Sequence, residues 1–282
     1  MNHILQLAHL NARVASLALL GRWLGPKEVA ASYNHVASTY EAVWLCHLRR
    51  TTGELLQQLP SNLTGTILDL GSGTGFSAKH LAQANPNSAV VAVDVSKEML
   101  NRSQMQAPAN MRCMVSDMLK FVQAQADGSA CLIVSTWALG YSHPTRVFRE
   151  CSRLLPKGGK LAFIVNYADT LSPVFRAFQR CMLQFPDRVR LAACPRFPKD
   201  WSFLQRALFK NQFEVDWHHD GKQKIEPPEG PLLPWLQQTG VLAGFDTMLD
   251  LSAPVDAFFE AEMVHERNNL FHHFAMAIAS RK

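Results

Sequence analysis

Between residues 66 and 167 the chain alternates five apolar, β-branched runs with stretches whose composition suits helices. The strand candidates are residues 66–70, 89–95, 111–115, 130–136 and 160–167. The helix candidates between them are residues 76–83, 96–106, 118–125 and 144–155. A run that is apolar at every position is buried on both faces, which is typical of parallel strands covered by helices. The alternation therefore predicts an open parallel α/β sheet.

The segments on either side of this core carry other patterns. Apolar residues recur at helical spacing in residues 12–20, 36–59 and 172–191, and late strand candidates lie at 213–217 and 271–279. We divide the 282 residues into a helical cap (1–60), the α/β core (61–168), a basic helical insertion (169–210) and C-terminal strands and cap elements that complete the sheet (211–282). We expect the flanking segments to form a lid over the carboxyl ends of the strands, where such sheets bind ligands.

Hydropathy and cysteine spacing indicate the cellular compartment of the protein. No apolar run approaches the ~20 residues of a membrane-spanning helix, so we predict no membrane partner. The first 24 residues read as a helix of the mature protein, because Arg22 and Trp23 stand where small residues would mark signal cleavage. Six cysteines lie at least thirteen residues apart, without the paired spacing of zinc sites. We therefore expect reduced thiols in a cytoplasmic protein.

The positive charge is concentrated in one part of the chain. The net charge is +5, but residues 171–210 hold eight basic and two acidic residues, or +6, so the rest sums to −1. This asymmetry has two interpretations: the segment faces an acidic partner or substrate, or it is a solvated basic surface.

A glycine-rich loop follows the first strand. The sequence T-I-L-D-L-G-S-G-T-G-F places Gly71, Gly73 and Gly75 between a buried strand and a helix. Glycines there allow positive φ and let the backbone lie against a ligand. Asp94 ends the next strand, 23 residues past Gly71, where a carboxylate in such a sheet accepts both ribose hydroxyls. The pair predicts a nucleotide site.

The spacing of the glycines in the loop indicates which nucleotide binds. A dinucleotide fingerprint is G-x-G-x-x-G, whereas here the third glycine comes one residue early and Phe76 stands in its place. Asp69 adds negative charge where a pyrophosphate would lie. These features argue against a nicotinamide oxidoreductase and favour a cationic ligand. S-adenosylmethionine, with its adenosine, sulfonium and ammonium and no phosphate, fits.

With these residues in place, the chain from about Tyr33 to Tyr167 resembles the class I S-adenosylmethionine-dependent methyltransferases. D-L-G-S-G-T-G is similar to the first motif of that family, V-A-V-D-V-S to the second, V-S-D-M to the third and L-L-P-K-G-G-K to the turn before the fifth strand. The resemblance implies a Rossmann-like doubly wound sheet of about seven strands, mostly parallel with an antiparallel last strand, plus a helical cap.

The same resemblance implies roles for individual residues. Asp69 and Gly71 would lie near the methionine moiety, Asp94 at the ribose, and Asp117 and Met118 beside the adenine. The implied cofactor-binding set is Asp69, Gly71, Ser72, Gly73, Asp94, Val95, Met99, Asp117, Met118, Ser135 and Thr136.

Two segments resemble particular members of the family. C-L-I-V-S-T-W-A-L-G-Y (131–141) and A-A-S-Y-N-H-V-A-S-T-Y-E (30–41) are similar to segments of the ubiquinone/menaquinone C-methyltransferases and the malonyl-carrier-protein O-methyltransferase. By this likeness Ser135 and Thr136 reach the cofactor, and Tyr33 or Tyr40 lines the methyl-transfer chamber. S-T-W-A stands where adenine and glutamine N-methyltransferases carry acidic-x-P-P-aromatic, which argues against exocyclic base amines as acceptors.

The reaction could also use a general base, and the sequence offers candidates for it. Of the histidines, His143 is the best placed, just after the fourth strand, so we name His143, Tyr40 and Tyr33 as catalytic candidates. The clusters His218-His219-Asp220 and His272-His273 suggest a metal, but adjacent side chains on a strand point to opposite faces, so we predict no metal.

The sequence leaves three functions open. The first is an O-, C- or N-methyltransferase that acts on a small, possibly acidic molecule by in-line displacement under the helical lid. The second is a methyltransferase acting on an acidic carrier protein or RNA, although a nucleic acid is disfavoured because the basic segment lacks a long stripe of interleaved aromatic residues. The third is a cofactor-binding protein of this fold that transfers no methyl group. The oligomeric state stays open.

Overall fold

The computed structural model describes residues 3–193 and 196–282. Seven strands of these residues form one sheet: β1 (Gly65–Leu70), β2 (Ser88–Asp94), β3 (Met111–Val115), β4 (Leu132–Thr136), β5 (Lys160–Asn166), β6 (Phe213–Lys224) and β7 (Phe271–Arg281). Their order is β3-β2-β1-β4-β5-β7-β6. The strands β1 to β5 pair in parallel, and β7 runs antiparallel to β5. The predicted fold class, a mostly parallel Rossmann-like sheet of about seven strands, is confirmed.

The strand order reverses direction at β1, which has β2 on one side and β4 on the other. In open α/β sheets ligands bind outside the carboxyl ends of the strands at such a switch point. Asp69, near the end of β1, and Asp94, at the end of β2, are therefore both at the edge where a ligand is expected.

Twelve α-helices accompany the sheet within the described residues. They are α1 (His3–Leu19), α2 (Pro26–Val36), α3 (Cys46–Leu56), α4 (Phe76–Ala84), α5 (Lys97–Gln104), α6 (Met118–Gln123), α7 (Pro144–Leu154), α8 (Ser172–Gln184), α9 (Trp201–Lys210), α10 (Leu232–Thr239), α11 (Phe245–Met248) and α12 (Val255–Met263). Local sequence fixes several starts. The Ser96 hydroxyl accepts the Met99 N–H at 3.1 Å before α5, and Pro144 occupies the first turn of α7.

The core lies on both faces of the sheet. Leu68 and Leu70 of β1 pack in one cluster with Phe148, whereas Ile67 packs in the opposite cluster with Leu81. This follows from the alternation of side chains along a strand, and it explains why the parallel strands are mainly apolar on both faces.

The described residues divide into two compact units. The first comprises those within 1–44, 171–194 and 223–272, and the second those within 45–170, 195–222 and 273–282. The second unit holds the glycine loop and β1 to β5.

No helix of residues 3–193 and 196–282 is long and apolar enough to cross a bilayer. Five cysteines in these ranges are free thiols: Cys46, Cys113, Cys131, Cys151 and Cys181. The sixth, Cys194, lies outside the described residues. Burial raises the pKa of the Cys151 and Cys181 thiols, so both are unreactive core residues.

Candidate active site

The glycine loop between β1 and α4 is held against β2 by its backbone. The N–H groups of Gly71 and Ser72 donate to the carbonyl of Val93 at 2.8 and 3.0 Å. Gly71 has φ +75°, and a Cβ there would lie 2.1 Å from Cβ of Ala138, so this position needs glycine. At Gly73, with φ +54°, a Cβ would meet no atom within 4 Å. The loop is therefore packed at its start and open at its middle.

Asp94 ties this loop to the start of α5. Its Oδ2 accepts the N–H of Gly73 at 2.8 Å, and its Oδ1 accepts the N–H of Ser96 at 2.8 Å. Burial raises the pKa of the Asp94 carboxyl, and these backbone donors oppose that rise. An ionised carboxylate has about four acceptor positions, so Asp94 can also accept hydroxyl groups. The predicted contact with a ribose stays a prediction.

Asp69 is buried like Asp94 but has fewer backbone donors around its carboxylate. Its side chain is fully buried, and neither carboxylate oxygen accepts a hydrogen bond of good geometry from a described residue. Burial, and next the charge of Asp94, raise the pKa of Asp69 to about 7, although the backbone N–H of Ala78 in α4 favours the ionised form. The buried hydroxyl of Ser72 also lacks a partner among the described residues. A cationic group with N–H donors would satisfy these atoms, whereas an anion would be repelled.

Ser135 and Thr136 lie at the carboxyl end of β4, beside the same loop. The Ser135 hydroxyl donates to the carbonyl of Leu70 at 2.7 Å, and the Thr136 hydroxyl lies 3.1 Å from that of Ser77. Both side chains thus connect β4 to the segment that carries the glycines. Direct contact of either with a cofactor stays a prediction.

Trp137 turns the chain immediately after β4. It has φ +66°, a left-handed conformation that is rare outside glycine. Its N–H donates to the carbonyl of Ile164 at 2.7 Å, and its indole N–H donates to Thr52 at 2.9 Å. The turn brings Ala138 against Gly71, so it closes the packed start of the loop.

The remaining predicted cofactor residues lie after β2 and β3. Met99 is buried and Val95 is half-buried. Asp117 is the N-cap of α6, with Oδ1 accepting the N–H of Lys120 at 2.9 Å. Met118 is buried beside the glycine loop, since its methyl carbon lies 3.4 Å from where a Cβ on the first loop glycine would stand. The structure therefore brings all the predicted cofactor residues to one edge of the sheet in the second unit.

The three catalytic candidates are divided between the units. His143 precedes α7 in the second unit, and burial lowers the pKa of its imidazole, with the charges of Arg196 and Arg146 adding to the effect. A neutral imidazole can act as a base. Tyr33 and Tyr40 belong to the first unit, where their rings meet edge to face with centroids 6.2 Å apart.

The sequence reasoning missed a histidine that is oriented by a carboxylate. His273 Nδ1 lies 2.9 Å from both carboxylate oxygens of Asp169, where β5 has ended and β7 begins. The phenol of Tyr167 donates to Asp220, and its ring meets the His273 ring with centroids 4.8 Å apart. The partners are 104 residues apart in sequence, so no local motif could identify the pair.

The histidine pair of β6 behaves as strand geometry requires. His218 stacks on Trp201 with ring centroids 4.3 Å apart, while His219 aligns with Trp217 at 6.4 Å. In the described part of the chain, no group of three or more His, Cys, Asp or Glu side chains is arranged to hold a metal.

The basic segment is partly neutralised by acids that follow it in sequence. The pairs are Arg176 with Glu266 (3.7 Å), Arg180 with Glu262, Arg188 with Asp250 (3.2 Å) and Arg190 with Asp250 (2.5 Å). Since these carboxylates lie at least 60 residues further along, the local charge count could not include them. The pairing weakens the interpretation of these four arginines as a site for an acidic partner.

Comparisons with known proteins agree with this geometry. A family model described as "Methyltransferase domain" matches residues 67–159. The biotin biosynthesis bifunctional protein BioHC of Cellvibrio japonicus is 33% identical over 158 residues, which are 55% of this chain and 30% of that protein. The malonyl-[acyl-carrier protein] O-methyltransferase of Neorickettsia risticii is 29% identical over 132 residues, 45% of this chain and 50% of that enzyme. The chain thus spans half or less of these curated relatives.

A solved structure shares the fold. The complex of geranyl diphosphate methyltransferase with SAM gives a TM-score of 0.51 at 18% identity, covering 83% of this chain and 85% of that chain.

Proposed function

We propose that this protein transfers a methyl group from S-adenosylmethionine to an acceptor, because residues 67–159 match the model of a methyltransferase domain. The predicted resemblance to the class I S-adenosylmethionine-dependent methyltransferases is confirmed by the match to that domain and by the shared fold. The similarity covers only part of each matched relative. The cofactor and the reaction of the whole protein are therefore our proposal.

The observation that carries this proposal is the buried carboxylate of Asp69, which has no hydrogen-bond partner among the described residues. An unpaired buried carboxylate is costly, and a bound cation removes that cost. The ammonium of S-adenosylmethionine would satisfy Asp69 and Ser72, and the ribose hydroxyls would bind Asp94. The open backbone at Gly73 leaves room for such a ligand.

The residues that hold the cofactor supply orientation rather than acid or base chemistry. When bound, S-adenosylmethionine supplies a methyl group on a positively charged sulfur. Transfer of that group needs alignment of the acceptor and exclusion of water. The hydrogen bonds of Ser135 with Leu70 and of Gly73 with Asp94 tie the cofactor loop to β4 and β2.

For the acceptor, we propose a small molecule held by residues of the first unit that include Tyr33 and Tyr40. The second candidate is a carboxylate on an acyl carrier protein, which the names of the curated relatives favour. The ion pairs of Arg176, Arg180 and Arg188 favour the first candidate, because they reduce the positive charge that the basic segment offers to an acidic protein. Free thiols and the absence of paired cysteine spacing support a cytoplasmic location.

The test is transfer of a labelled methyl group into a host lysate separated into small molecules, protein and RNA. The same label is offered to purified malonyl-acyl carrier protein in a parallel reaction. Label in the small-molecule fraction supports the first candidate, and label on the carrier protein the second. Asp94→Ala should abolish transfer in either case, while Glu98→Gln, an exposed carboxylate on α5, should leave it intact. Binding of S-adenosylhomocysteine without transfer in any arm would contradict the proposal and favour a non-methylating protein.

A further inference from the structure

Three residues of the loop after β5 hold His273, near the start of β7. Its Nδ1 lies 2.9 Å from both carboxylate oxygens of Asp169. Its main-chain N–H donates to the hydroxyl of Thr170 at 3.0 Å, and that hydroxyl donates to its carbonyl. The ring of Tyr167 meets the His273 ring edge to face, with centroids 4.8 Å apart. The backbone and the imidazole are therefore both fixed, and all four residues belong to the second unit.

The carboxylate of Asp169 decides which ring nitrogen of His273 carries the proton. An ionised carboxylate only accepts hydrogen bonds, so Nδ1 must be the donor. The lone pair of the neutral ring is then on Nε2, which forms no hydrogen bond with another described residue. The side chain is 36% exposed, so a ligand can reach it. An exposed pair of this kind adds little stability, whereas the same arrangement orients the base of a catalytic site.

His273 lies at the same edge of the sheet as the cofactor residues. The last residue of β4, Thr136, is opposite Ile164 of β5. Asn166 of β5 is opposite Phe274 of β7, the residue after His273. Because a strand rises about 3.3 Å per residue and neighbouring strands lie about 4.8 Å apart, His273 is about 10 Å past the end of β4 and about 10 Å to its side. A small molecule over the end of β4 would bridge the distance from the cofactor to this imidazole.

Two other groups of the second unit are less suited to act as a base. Burial, and next the hydrogen bond to Asp220, raise the pKa of the Tyr167 phenol, which therefore stays protonated. For His143, burial and the charges of two arginines lower the pKa, so its protonated form is disfavoured. A base must hold the proton that it removes. The carboxylate of Asp169 stabilises a protonated His273 in this way.

We propose that His273 is the general base of the methyl transfer, that Asp169 orients it, and that the acceptor reacts through an atom that carries a proton. This inference rests on the proposed function. The imidazole removes that proton at Nε2, and the freed electron pair forms the bond to the methyl carbon. The pair of the carbon–sulfur bond stays on sulfur, which loses its charge, and the proton on the imidazolium passes to water. A phenol, an amine or an activated carbon acid has such a proton, whereas a carboxylate is already ionised near neutral pH.

The first test measures the tautomer of His273 without an acceptor. Nitrogen NMR of the full chain with isotope-labelled histidine should show Nδ1 protonated and Nε2 unprotonated in the neutral ring, with the signals assigned from the His273→Ala variant. Asp169→Asn should weaken this preference, because an amide can also donate. A neutral ring with its proton on Nε2 in the wild type would overturn the proposal.

The second test is the rate at which a labelled methyl group enters the small-molecule fraction of a host lysate. His273→Ala should lower this rate about a hundredfold or more, and added imidazole should restore part of it, which a purely structural role would not allow. Asp169→Asn should give a smaller loss. Binding of S-adenosylhomocysteine, measured by calorimetry, should be unchanged in both variants. His219→Ala is the matched control, because this histidine is exposed on β6 and forms no ion pair with a described residue.

The outcomes separate this inference from the proposed function. An unchanged rate in His273→Ala, or a loss that imidazole does not restore, overturns the inference alone. A loss in His143→Gln but not in His273→Ala also overturns it and identifies the other histidine as the base. Transfer to malonyl-acyl carrier protein that His273→Ala leaves unchanged would assign a carboxylate acceptor instead. A wild type that binds S-adenosylhomocysteine and labels no fraction contradicts the proposed function and this inference together. Unchanged thermal unfolding verifies that the variants fold.

Discussion

Asp69→Asn replaces a buried carboxylate with an amide of nearly the same size. In the folded protein, burial and the charge of Asp94 raise the pKa of Asp69 from 3.8 to about 7. Between these two pH values the unfolded chain releases a proton that the folded protein retains. The free energy of unfolding therefore falls as pH rises from 4 to 7 and is level above 7. Three pH units correspond to at most ~4 kcal/mol.

The variant lacks this proton, so its stability should not fall in that window. Relative to the wild type, Asp69→Asn should gain ~2–4 kcal/mol between pH 4 and pH 8, even though the buried amide has an unsatisfied-group penalty of ~1–3 kcal/mol at every pH. The same change should weaken cofactor binding at least tenfold, since a charge-assisted hydrogen bond is worth ~1.5–3 kcal/mol. In the wild type, cofactor affinity should rise with pH up to about 7 and then level, because a cation binds the ionised form.

The stability arm is urea unfolding at pH 4, 5, 6, 7 and 8, with Glu98→Gln as the control for loss of an exposed carboxylate. The binding arm is calorimetry with S-adenosylhomocysteine, which keeps the ammonium and lacks the sulfonium charge. If the wild type and Asp69→Asn change in parallel with pH, Asp69 does not titrate near 7 and the reasoning fails. A pH-dependent affinity for S-adenosylmethionine but not for S-adenosylhomocysteine would place the sulfonium, rather than the ammonium, beside Asp69.

Other substitutions test separate contacts. Gly71→Ala should destabilise the fold by ~2 kcal/mol or more, measured by urea unfolding, because its Cβ would lie 2.1 Å from another side chain. Gly73→Ala should lose cofactor binding in calorimetry with a smaller loss of stability, since its Cβ meets no atom within 4 Å. Asp94→Ala should raise the cofactor dissociation constant at least tenfold, and an unchanged value would refute the ribose contact. Arg188→Gln with Arg190→Gln should leave the Michaelis constant for the acceptor unchanged, because both side chains are already paired.

The sheet could be predicted because its signals are local. Each parallel strand is mainly apolar and the glycine turn lies beside its strand, so windows of about ten residues were sufficient. The predicted run at 160–167 and the observed β5, Lys160–Asn166, differ by one residue. By contrast, the predicted strand at 213–217 is only the first part of β6, which continues to Lys224. Its later residues are polar because that edge of the sheet is exposed, and an apolar pattern could not detect them.

The cofactor residues could also be predicted from local sequence, because the glycine loop and Asp94 lie in one β-α-β unit. Contacts between residues far apart in the sequence could not be predicted in this way. The contact of His273 with Asp169 depends on β7 lying beside β5, and the ion pair of Arg180 with Glu262 on α8 meeting α12. A charge count over a segment treats every cation as solvated, so it overstated the free positive charge of residues 171–210.

The two aspartates of the site show what sequence alone leaves undecided. Both follow apolar strands and both belong to recognisable motifs, so the sequence presents two equivalent carboxylates. In the fold, Asp94 accepts two backbone N–H groups, which favour its ionised form, while Asp69 has burial and a neighbouring negative charge against it. Burial raises the pKa of both carboxyls, but the backbone donors differ, so we expect the two side chains to have different functions. Asp94 holds the loop in place without a ligand, whereas a bound cation would favour the ionised form of Asp69, so we expect cofactor binding to depend on pH.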